Sequence, residues 1–155
     1  MLKIDLVPVD ETNHQACLNL EISPEQEHFV PDIASSLEMA RKYDQARPLA
    51  ILYDGEIVGF CLYGVDEASG QWKIYRLLIG AQWQRMGIGR QAMLALIKRL
   101  HEQHGAESVL LVYHRENEAA ERLYNSLGFV VYQLREPHKL AKLMITEEKL
   151  YDPVD

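Results

Sequence analysis

Alternation of apolar and polar residues predicts strands in the first half of the chain. Residues 2–7 alternate in this way, as a half-buried strand does. Residues 48–64 contain two β-rich runs on either side of Asp54-Gly55, a dipeptide that readily takes the positive φ of a tight hairpin turn. Trp72–Ile79 then predicts a third strand of an antiparallel meander.

A period of three to four residues predicts helices elsewhere. Residues 11–21 and 32–43 predict two short helices, and residues 87–104 predict a long amphipathic helix. Its apolar stripe consists of Ile88, Ala92, Met93, Leu96, Ile97 and Leu100. A further helix begins after Asn117, a good N-cap residue, and ends before Gly128, which suits the position after a helix.

Three apolar runs in the second half predict the remaining strands, at residues 108–113, 129–133 and 140–145. For residues 140–145, the Lys and Ala content leaves a helix as the alternative. The predicted order is β-α-α-β-β-β-α-β-α-β-β. Helices separate the later strands, so some of these strands must run parallel. We therefore expect one α/β domain over residues 1–155, with a central mixed, mostly antiparallel sheet flanked by about four helices.

Charge and composition exclude several classes of protein. The 155 residues carry 23 acidic and 16 basic side chains, a formal charge of −7, without a block of Lys or Arg. This is evidence against a nucleic-acid-binding protein, whose affinity depends on neutralising phosphates. No apolar run approaches the roughly 18 residues of a membrane span, so we expect a cytoplasmic protein without a membrane partner. Cys17 and Cys61 lack metal-site spacing, and we expect buried thiols and no metal.

The turn before the long helix carries the clearest chemical signal. Gln84 to Arg90 places Gly87 and Gly89 at a helix N-terminus, where free backbone N–H groups and the helix dipole favour an anion. Arg85 and Arg90 add positive charge. The alternative is a glycine-containing connection that binds nothing. A P-loop does not fit, because Gly89 is followed by Arg90 and Gln91, and a Rossmann strand does not usually follow a three-stranded meander.

Two motifs together resemble the GNAT family of N-acetyltransferases. Gln84-x-x-Gly87-x-Gly89 is similar to the family's Q/R-x-x-G-x-G/A acyl-CoA signature. Downstream, Asn117-x-x-Ala120-x-x-x-Tyr124-x-x-x-Gly128-Phe129 resembles the family's N-x-x-A-x-x-x-Y-x-x-x-G-F segment. The resemblance spans residues 48–133 in its characteristic part and implies the GNAT fold with acetyl-CoA as cofactor.

The resemblance also implies roles for individual residues. Backbone groups of Leu77, Leu78 and Ile79 on a bulged strand would bind the pantetheine arm, between two strands that splay apart. The pyrophosphate would lie on the turn formed by Gln84, Arg85, Met86, Gly87, Ile88, Gly89 and Arg90. Asn117 would contact the pantetheine, and Tyr124 would lie near the sulfur.

Tyr124 is the candidate catalytic residue. An amine that attacks a thioester must be unprotonated, and the leaving thiolate needs a proton. A phenol with a pKa near ~10 is a neutral donor at physiological pH. Taken alone, Tyr124 is typical of a core aromatic residue on an apolar stripe, and Asn117 and Gly128-Phe129 beside it favour the catalytic role. For the general base, His114, Glu116, Glu118 and a water chain remain alternatives, and His114 could simply be a solvated loop residue.

The acceptor amine is less constrained by the sequence. Acidic residues cluster in the N-terminal segment, where they could bind a polycation or form a solvated helix face. Residues 23–30 and 75–79 are similar to those of bacterial spermine/spermidine (diamine) acetyltransferases. That resemblance implies Glu21, Glu25 and Glu27 as ammonium partners, with Phe29 and Tyr63 as walls for the methylene chain.

Three functions therefore compete. The first is acetyl-CoA-dependent acetylation of a small-molecule polyamine or diamine. The second is the same chemistry on an amino-sugar antibiotic or a protein amino group. The third is a non-catalytic acyl-CoA-binding module, against which Tyr124 is evidence. Homodimers are common in the family, and residues 140–145 are the segment that could pair across subunits.

Overall fold

A computed structural model describes residues 3–150. The strands are β1 (Ile4–Pro8), β2 (Arg47–Tyr53), β3 (Glu56–Val65), β4 (Trp72–Ile79), β5 (Ser108–His114), β6 (Val130–Arg135) and β7 (His138–Met144). The helices are α1 (His14–Leu18), α2 (Pro24–Phe29), α3 (Ile33–Lys42), α4 (Ile88–His104), α5 (Glu118–Leu127) and α6 (Glu147–Leu150), with a 3₁₀ turn at Ala81–Trp83.

All the strands belong to one seven-stranded sheet, in the order β1-β2-β3-β4-β5-β7-β6. Neighbouring strands are antiparallel except β4 and β5, which run parallel. A crossover through α4 connects these two strands, as a parallel pair requires. The predicted mixed, mostly antiparallel sheet is confirmed.

The hairpin between β2 and β3 forms where the sequence predicts it. Asp54 and Gly55 have φ values of 53° and 86°. Two successive positive φ angles give the turn a twist that matches the strands it joins. Gly55 has no atoms within 4 Å of an ideal Cβ, so the backbone conformation and not crowding favours glycine here.

Helix α4 covers one face of the sheet with the predicted stripe. Ile88, Ala92, Met93, Leu96, Ile97 and Leu100 are all buried. They pack against inward-facing residues of the sheet and against Leu127 and Phe129 from the region of α5. Gly105 ends the helix in the left-handed conformation, with its N–H donating to the carbonyl of His101. This packing fixes the N-terminus of α4 relative to the end of β4.

On the opposite face, α1 and α3 cover β2, β3 and the end of β4. Their contact with the sheet forms a second buried cluster that includes Cys17, Ile33, Phe60 and Leu78. Cys17 and Cys61 are free buried thiols, as predicted. Burial raises the pKa of Cys61 to about 12, so this thiol stays protonated.

The N-terminal segment differs most from the predicted elements. Helix α1 is only His14–Leu18, within predicted residues 11–21, and α2 was not predicted. The Ser23 hydroxyl caps α2 by accepting from the N–H of Gln26, and Pro24 occupies the first turn. This N-terminal signal was present in the sequence. Helix α6 was also not predicted, and Leu2, in predicted strand 2–7, lies outside the described residues.

The prediction that residues 140–145 pair across subunits is wrong, whereas the homodimer itself stays a prediction. Strand β7 contains most of residues 140–145 and lies between β5 and β6, so both of its edges are already paired. It cannot add to the sheet of another subunit. Among residues 3–150, no helix is long and apolar enough to cross a membrane.

Candidate active site

Strands β4 and β5 separate after a short stretch of pairing. Their parallel register includes only Lys73 with Leu110 and Ile74 with Leu111. The register of β4 with β3 shifts so that Tyr75 is an extra residue, a β-bulge at the point where the strands diverge. The bulge and the splayed strands agree with what the GNAT resemblance implies. Beyond Ile74, the edge of β4 that faces β5 has no strand partner.

A cleft of about 330 Å³ lies in this opening. Its walls come from the segment after α2, from β4, from β5, from the start of α5 and from the ends of β6 and β7. The lining residues are Phe29, Val30, Pro31, Lys73, Ile74, Tyr75, Arg76, Leu77, Leu111, Val112, Tyr113, His114, Asn117, Ala120, Tyr124, Arg135, His138 and Leu140.

The turn at residues 84–90 joins the end of β4 to α4. Gly87 is the N-cap of α4 with a φ of 83°, and Arg85 also has a positive φ of 63°. These two left-handed residues reverse the chain so that the first N–H groups of α4 are free at its N-terminus. No acidic residue lies in the first turn of α4. Backbone donors, the helix dipole and two arginines in the turn fit the pyrophosphate of an acyl-CoA.

The other residues of the turn have distinct positions. Met86 is exposed, whereas Ile88 is buried in the core. The Arg90 guanidinium donates to the Ser126 hydroxyl at 2.9 Å, which links the turn to α5. A Cβ on Gly89 would meet Leu123 and Ile79 at 3.7 Å and 3.9 Å, which are ordinary contact distances. Protein packing therefore leaves room for alanine at Gly89.

The Gln84 side chain is turned toward α2. Its Nε2 lies 2.8 Å from Oε1 of Gln26, 3.4 Å from Oγ of Ser23 and 3.1 Å from the carbonyl oxygen of Ile79. The side chain thus connects the turn to the N-terminus of α2. The amide nitrogen of Gln84 is therefore already used by acceptors of the protein itself.

The three predicted pantetheine-binding residues lie on β4 at this opening. Leu77 lines the cleft, whereas the side chains of Leu78 and Ile79 are buried on opposite faces of the sheet. Backbone groups on the unpaired edge of β4 are available to a ligand that extends along the strand. The carbonyl of Ile79 is already used by Gln84.

Helix α5 places Asn117 and Tyr124 in the cleft. The Oδ1 of Asn117 accepts from the N–H of Ala120 and caps the helix, as predicted. Gly128 ends α5 in the left-handed conformation. The Tyr124 ring packs against Tyr113 and Phe129, with centroid distances of 5.6 Å and 5.8 Å. Its position is fixed through the ring, because the hydroxyl forms no hydrogen bond within residues 3–150.

Burial determines the ionisation of Tyr124. Desolvation, with a smaller contribution from Tyr113, raises the pKa of Tyr124 to about 12. The phenol is therefore neutral across the physiological range and can donate to a group in the cleft. Tyr113 is held differently, because its hydroxyl donates to the Glu121 carboxylate, which Lys139 also contacts.

His114 is the candidate base that lies in the cleft, but its hydrogen bond restricts it. The N–H of Glu116 donates to Nδ1 of His114 at 3.1 Å. In the neutral ring, Nδ1 is thus the acceptor and Nε2 carries the hydrogen. Neither nitrogen is then free to accept a proton from an amine. This geometry favours His114 as a hydrogen-bond donor, not as the general base.

The predicted acceptor residues are only partly brought together. Phe29 lines the cleft and packs against His114 with a centroid distance of 5.1 Å. Glu21, Glu25 and Glu27 are exposed and do not line the cleft. Glu25 and Glu27 lie in the first turn of α2, where carboxylates stabilise the helix dipole.

The expectation that Tyr63 forms a wall of the acceptor site is wrong. Tyr63 is 2% exposed in the core, where its hydroxyl and Nε2 of His104 are 3.0 Å apart. Its ring contacts Trp72 and His104. Strand β3 lies in the middle of the sheet, and the side chain of Tyr63 faces α4.

Comparison with known proteins agrees with this geometry. The acetyltransferase (GNAT) family matches the chain over residues 13–129. The chain belongs to the GNAT acetyltransferase family. It is therefore an acyltransferase, and the acyl donor of this family is acetyl-CoA. The gap between the splayed strands leaves room for acetyl-CoA, and the turn before α4 offers backbone N–H groups to it.

Among GNAT relatives, a spermine/spermidine N(1)-acetyltransferase of Bacillus subtilis is 29% identical over 134 residues, which cover 83% of this chain and 88% of the relative. The fold is similar to that of a PaiA N-acetyltransferase from Thermoplasma acidophilum, solved in complex with coenzyme A. That similarity has a TM-score of 0.69 at 13% identity and covers 92% of this chain and 99% of the other. The fold is also similar to that of a ribosomal-protein-S18-alanine N-acetyltransferase from Escherichia coli. That similarity has a TM-score of 0.71 at 19% identity and covers 93% of this chain and 95% of the other.

Several cleft residues of this GNAT chain were not found from the sequence. Arg76 comes from the β4 bulge, and Lys73, Arg135 and His138 reach the cleft from three different strands. No local motif marks them, since register shifts in two strand pairs decide which side chains face the cleft. Arg76 had one signal, because it is a charged residue within an apolar strand.

Proposed function

We propose that this protein transfers the acetyl group of acetyl-CoA to a primary amine by direct attack, with Tyr124 as general acid. One observation carries the proposal. A neutral, half-buried phenol lies in the same cleft as the free edge of β4, and a helix N-terminus suited to pyrophosphate follows that strand. A non-catalytic acyl-CoA-binding module would need the turn before α4 and the free edge of β4, but it would not need the phenol of Tyr124.

Each part of the cleft has a task in this reaction. Acetyl-CoA supplies the acetyl thioester. The residue 84–90 turn holds the pyrophosphate, and the β4 edge with Asn117 holds the pantetheine. Leu77, Ile74 and Leu111 exclude water from the thioester. The new C–N bond forms as the C–S bond breaks, Tyr124 donates a proton to the departing sulfur, and its phenolate then regains a proton from solvent.

The acceptor amine must lose a proton in the same reaction. His114 is ill suited to take it, because Nδ1 already accepts the N–H of Glu116. We therefore assign this proton to water at the open side of the cleft. The amine then arrives as the free base or loses its proton to solvent before attack, so activity rises with pH toward the pKa of the amine.

Two classes of acceptor are supported by different observations. Polyamines and diamines are supported by the relative named for spermine and spermidine and by the aromatic side chain of Phe29. Amines that carry an anionic group are supported by the charge of the cleft, which is lined by cationic residues. Glu21, Glu25 and Glu27 would act on a polyamine only from outside the cleft.

A panel assay tests the function and the acceptor class together. CoA thiol release is followed at fixed acetyl-CoA with spermine, spermidine, putrescine, an aminoglycoside, a lysine peptide and no acceptor. We expect saturable, amine-dependent release above the rate without acceptor. Saturable binding of acetyl-CoA without release for any amine, including those of the next subsection, would instead identify a non-catalytic acyl-CoA-binding module.

A further inference from the structure

The charge of the cleft is unusual for an enzyme that binds polycations. Lys73, Arg76 and Arg135 line it together with two histidines, and none of its lining residues is acidic. Lys73 is partly neutralised by Asp66, whose carboxylate lies 3.8 Å away. A polyamine in this cleft would meet like charges on several sides, which is unfavourable where water is partly excluded.

Arg76 is the least compensated of these cations. Its guanidinium donates to the carbonyl of Tyr75 at 2.8 Å and lies near the sulfur of Met39. Its Nε is buried without a hydrogen-bond partner, and no carboxylate within residues 3–150 forms an ion pair with it. Burial of the uncompensated charge lowers the pKa of Arg76. Arg76 as a whole is half-buried, and a cation that has lost part of its hydration without a counter-ion gains stability when a ligand supplies the anion.

The bulge explains why this arginine reaches the cleft. Regular alternation along β4 would place Tyr75 and Arg76 on opposite faces of the sheet, but the extra residue changes the alternation at this point. Met39 of α3 supports the guanidinium from one side. A planar guanidinium with fixed support binds a carboxylate or phosphate better than a flexible ammonium does.

His114 adds a second donor. Because its Nδ1 accepts the N–H of Glu116, the neutral ring presents Nε2–H as a donor. Arg135 lines the same cleft from the end of β6, where it is opposite His138 in the register with β7. Donors from β4, β5 and β6 thus line one cleft.

We propose that the acceptor of this enzyme is a primary amine that also carries an anionic oxygen group, a carboxylate or a phosphate, and that Arg76 binds this group. The inference rests on the proposed acetyltransferase function and names its substrate class. Binding of the anion by Arg76 orients the amine, while Phe29 and Tyr75 cover the carbon chain between the two groups.

Amines that differ only in the terminal group test the inference. Steady-state kinetics are measured with butylamine, putrescine and 4-aminobutyrate, which carry a neutral, a cationic and an anionic end, and with 3-aminopropyl phosphate. We expect kcat/KM to be higher by about tenfold or more for an anionic acceptor than for butylamine, and lowest for putrescine. The comparison of 4-aminobutyrate with 3-aminopropyl phosphate separates carboxylate from phosphate.

The Arg76→Gln variant tests whether the preference for anionic acceptors depends on this one residue. It should lower kcat/KM for the anionic acceptor by about tenfold and change that for butylamine by less than about threefold. Arg76→Lys should restore part of the preference. Arg41→Gln is the matched control, because Arg41 is exposed on α3 and pairs with Glu38. Thermal unfolding followed by circular dichroism verifies that each variant is folded, and equilibrium binding of acetyl-CoA is measured separately.

The outcomes separate the two levels of the proposal. No CoA release with any amine would overturn the proposed function together with this inference. Equal kcat/KM for the three terminal groups, or the highest value for putrescine or spermidine, would overturn the inference alone. So would an Arg76→Gln variant that weakens acetyl-CoA binding but keeps the amine preference, since Arg76 would then belong to the cofactor site.

Discussion

The proposed cofactor side and the proposed acceptor side of the cleft are built from different kinds of structure. On the cofactor side, the turn at residues 84–90 and helix α5 present backbone N–H groups, two caps and one phenol. On the acceptor side, residues 29–31, the β4 bulge and the ends of β5, β6 and β7 present cations and aromatic rings. The first side depends on short-range sequence, whereas the second depends on strands that are distant in the chain.

This difference indicates how the fold can keep one chemistry while the acceptor changes. Backbone donors and glycine conformations on the cofactor side tolerate few substitutions. Side chains on the acceptor side can be exchanged without altering the path of the chain. The Gln84 amide connects the two sides, because it bonds to Gln26 and to the carbonyl of Ile79.

The largest effect is expected from Tyr124→Phe. The substitution keeps the ring packing against Tyr113 and Phe129 but removes the proton donor, so kcat should fall by roughly 100-fold. The dissociation constant of acetyl-CoA should stay within about twofold, since the ring remains in place. Tyr132→Phe, on exposed β6, is the control. Unchanged kcat would remove Tyr124 from the acid role.

The two glycines of the turn should respond differently. Gly87→Ala forces a residue with a Cβ to keep a φ of 83°, which costs about 1–2 kcal/mol and distorts the anion site. Its acetyl-CoA dissociation constant should rise roughly tenfold. Gly89→Ala meets only ordinary contacts and should change binding by less than about twofold. Equilibrium titration measures both. Equal weakening by the two substitutions would contradict the role given to the left-handed N-cap.

A smaller effect is expected at the connection between the two sides. Gln84→Leu removes hydrogen bonds to α2, and a net loss of about 1 kcal/mol would raise the KM of the amine about fivefold. The KM of acetyl-CoA should change less, because the turn binds through its backbone. Gln82→Leu, at an exposed neighbouring position, is the control. A larger rise in the acetyl-CoA KM than in the amine KM would contradict this separation.

The smallest effect concerns pH. Because burial raises the pKa of Tyr124 to about 12, the donor is retained at pH values where an ordinary phenol with a pKa near ~10 would be half ionised. Between pH 8 and roughly pH 10, the rate with a saturating amine should therefore show no decline that offsets the rise from deprotonation of the amine. A decline with an apparent pKa near ~10 would show that Tyr124 titrates as an ordinary phenol or that another acid acts.

Much of the cofactor side could be predicted from the sequence. Gly87 and Gly105 mark the ends of α4, and Asn117 and Gly128 mark those of α5, because helix caps are short-range signals. The apolar stripe of α4 faces the core because its spacing matches the helical period. Helix α2 was missed although Ser23 and Pro24 form an N-terminal signal, since the segment has few apolar residues to mark it.

The acceptor side could not be predicted in the same way. Tyr63 is an aromatic residue of the kind that can line a binding cleft, but the register of β3 places its side chain in the core. Arg76 reaches the cleft because of a bulge, and a one-residue change in strand register alters which face a side chain occupies. Glu25 and Glu27 carry carboxylates that could bind a cation, but α2 places both side chains on the exposed surface.

By itself, the sequence determined most of the elements, the caps of α4 and α5 and the two motifs of the cofactor side, because hydrophobic period and backbone conformation act over a few residues. Only the tertiary structure decided where β4 and β5 part, which side chains line the opening and that Arg76 lies there without a carboxylate. Those features depend on strand pairing and burial between residues far apart in the chain. Local sequence does not encode such contacts.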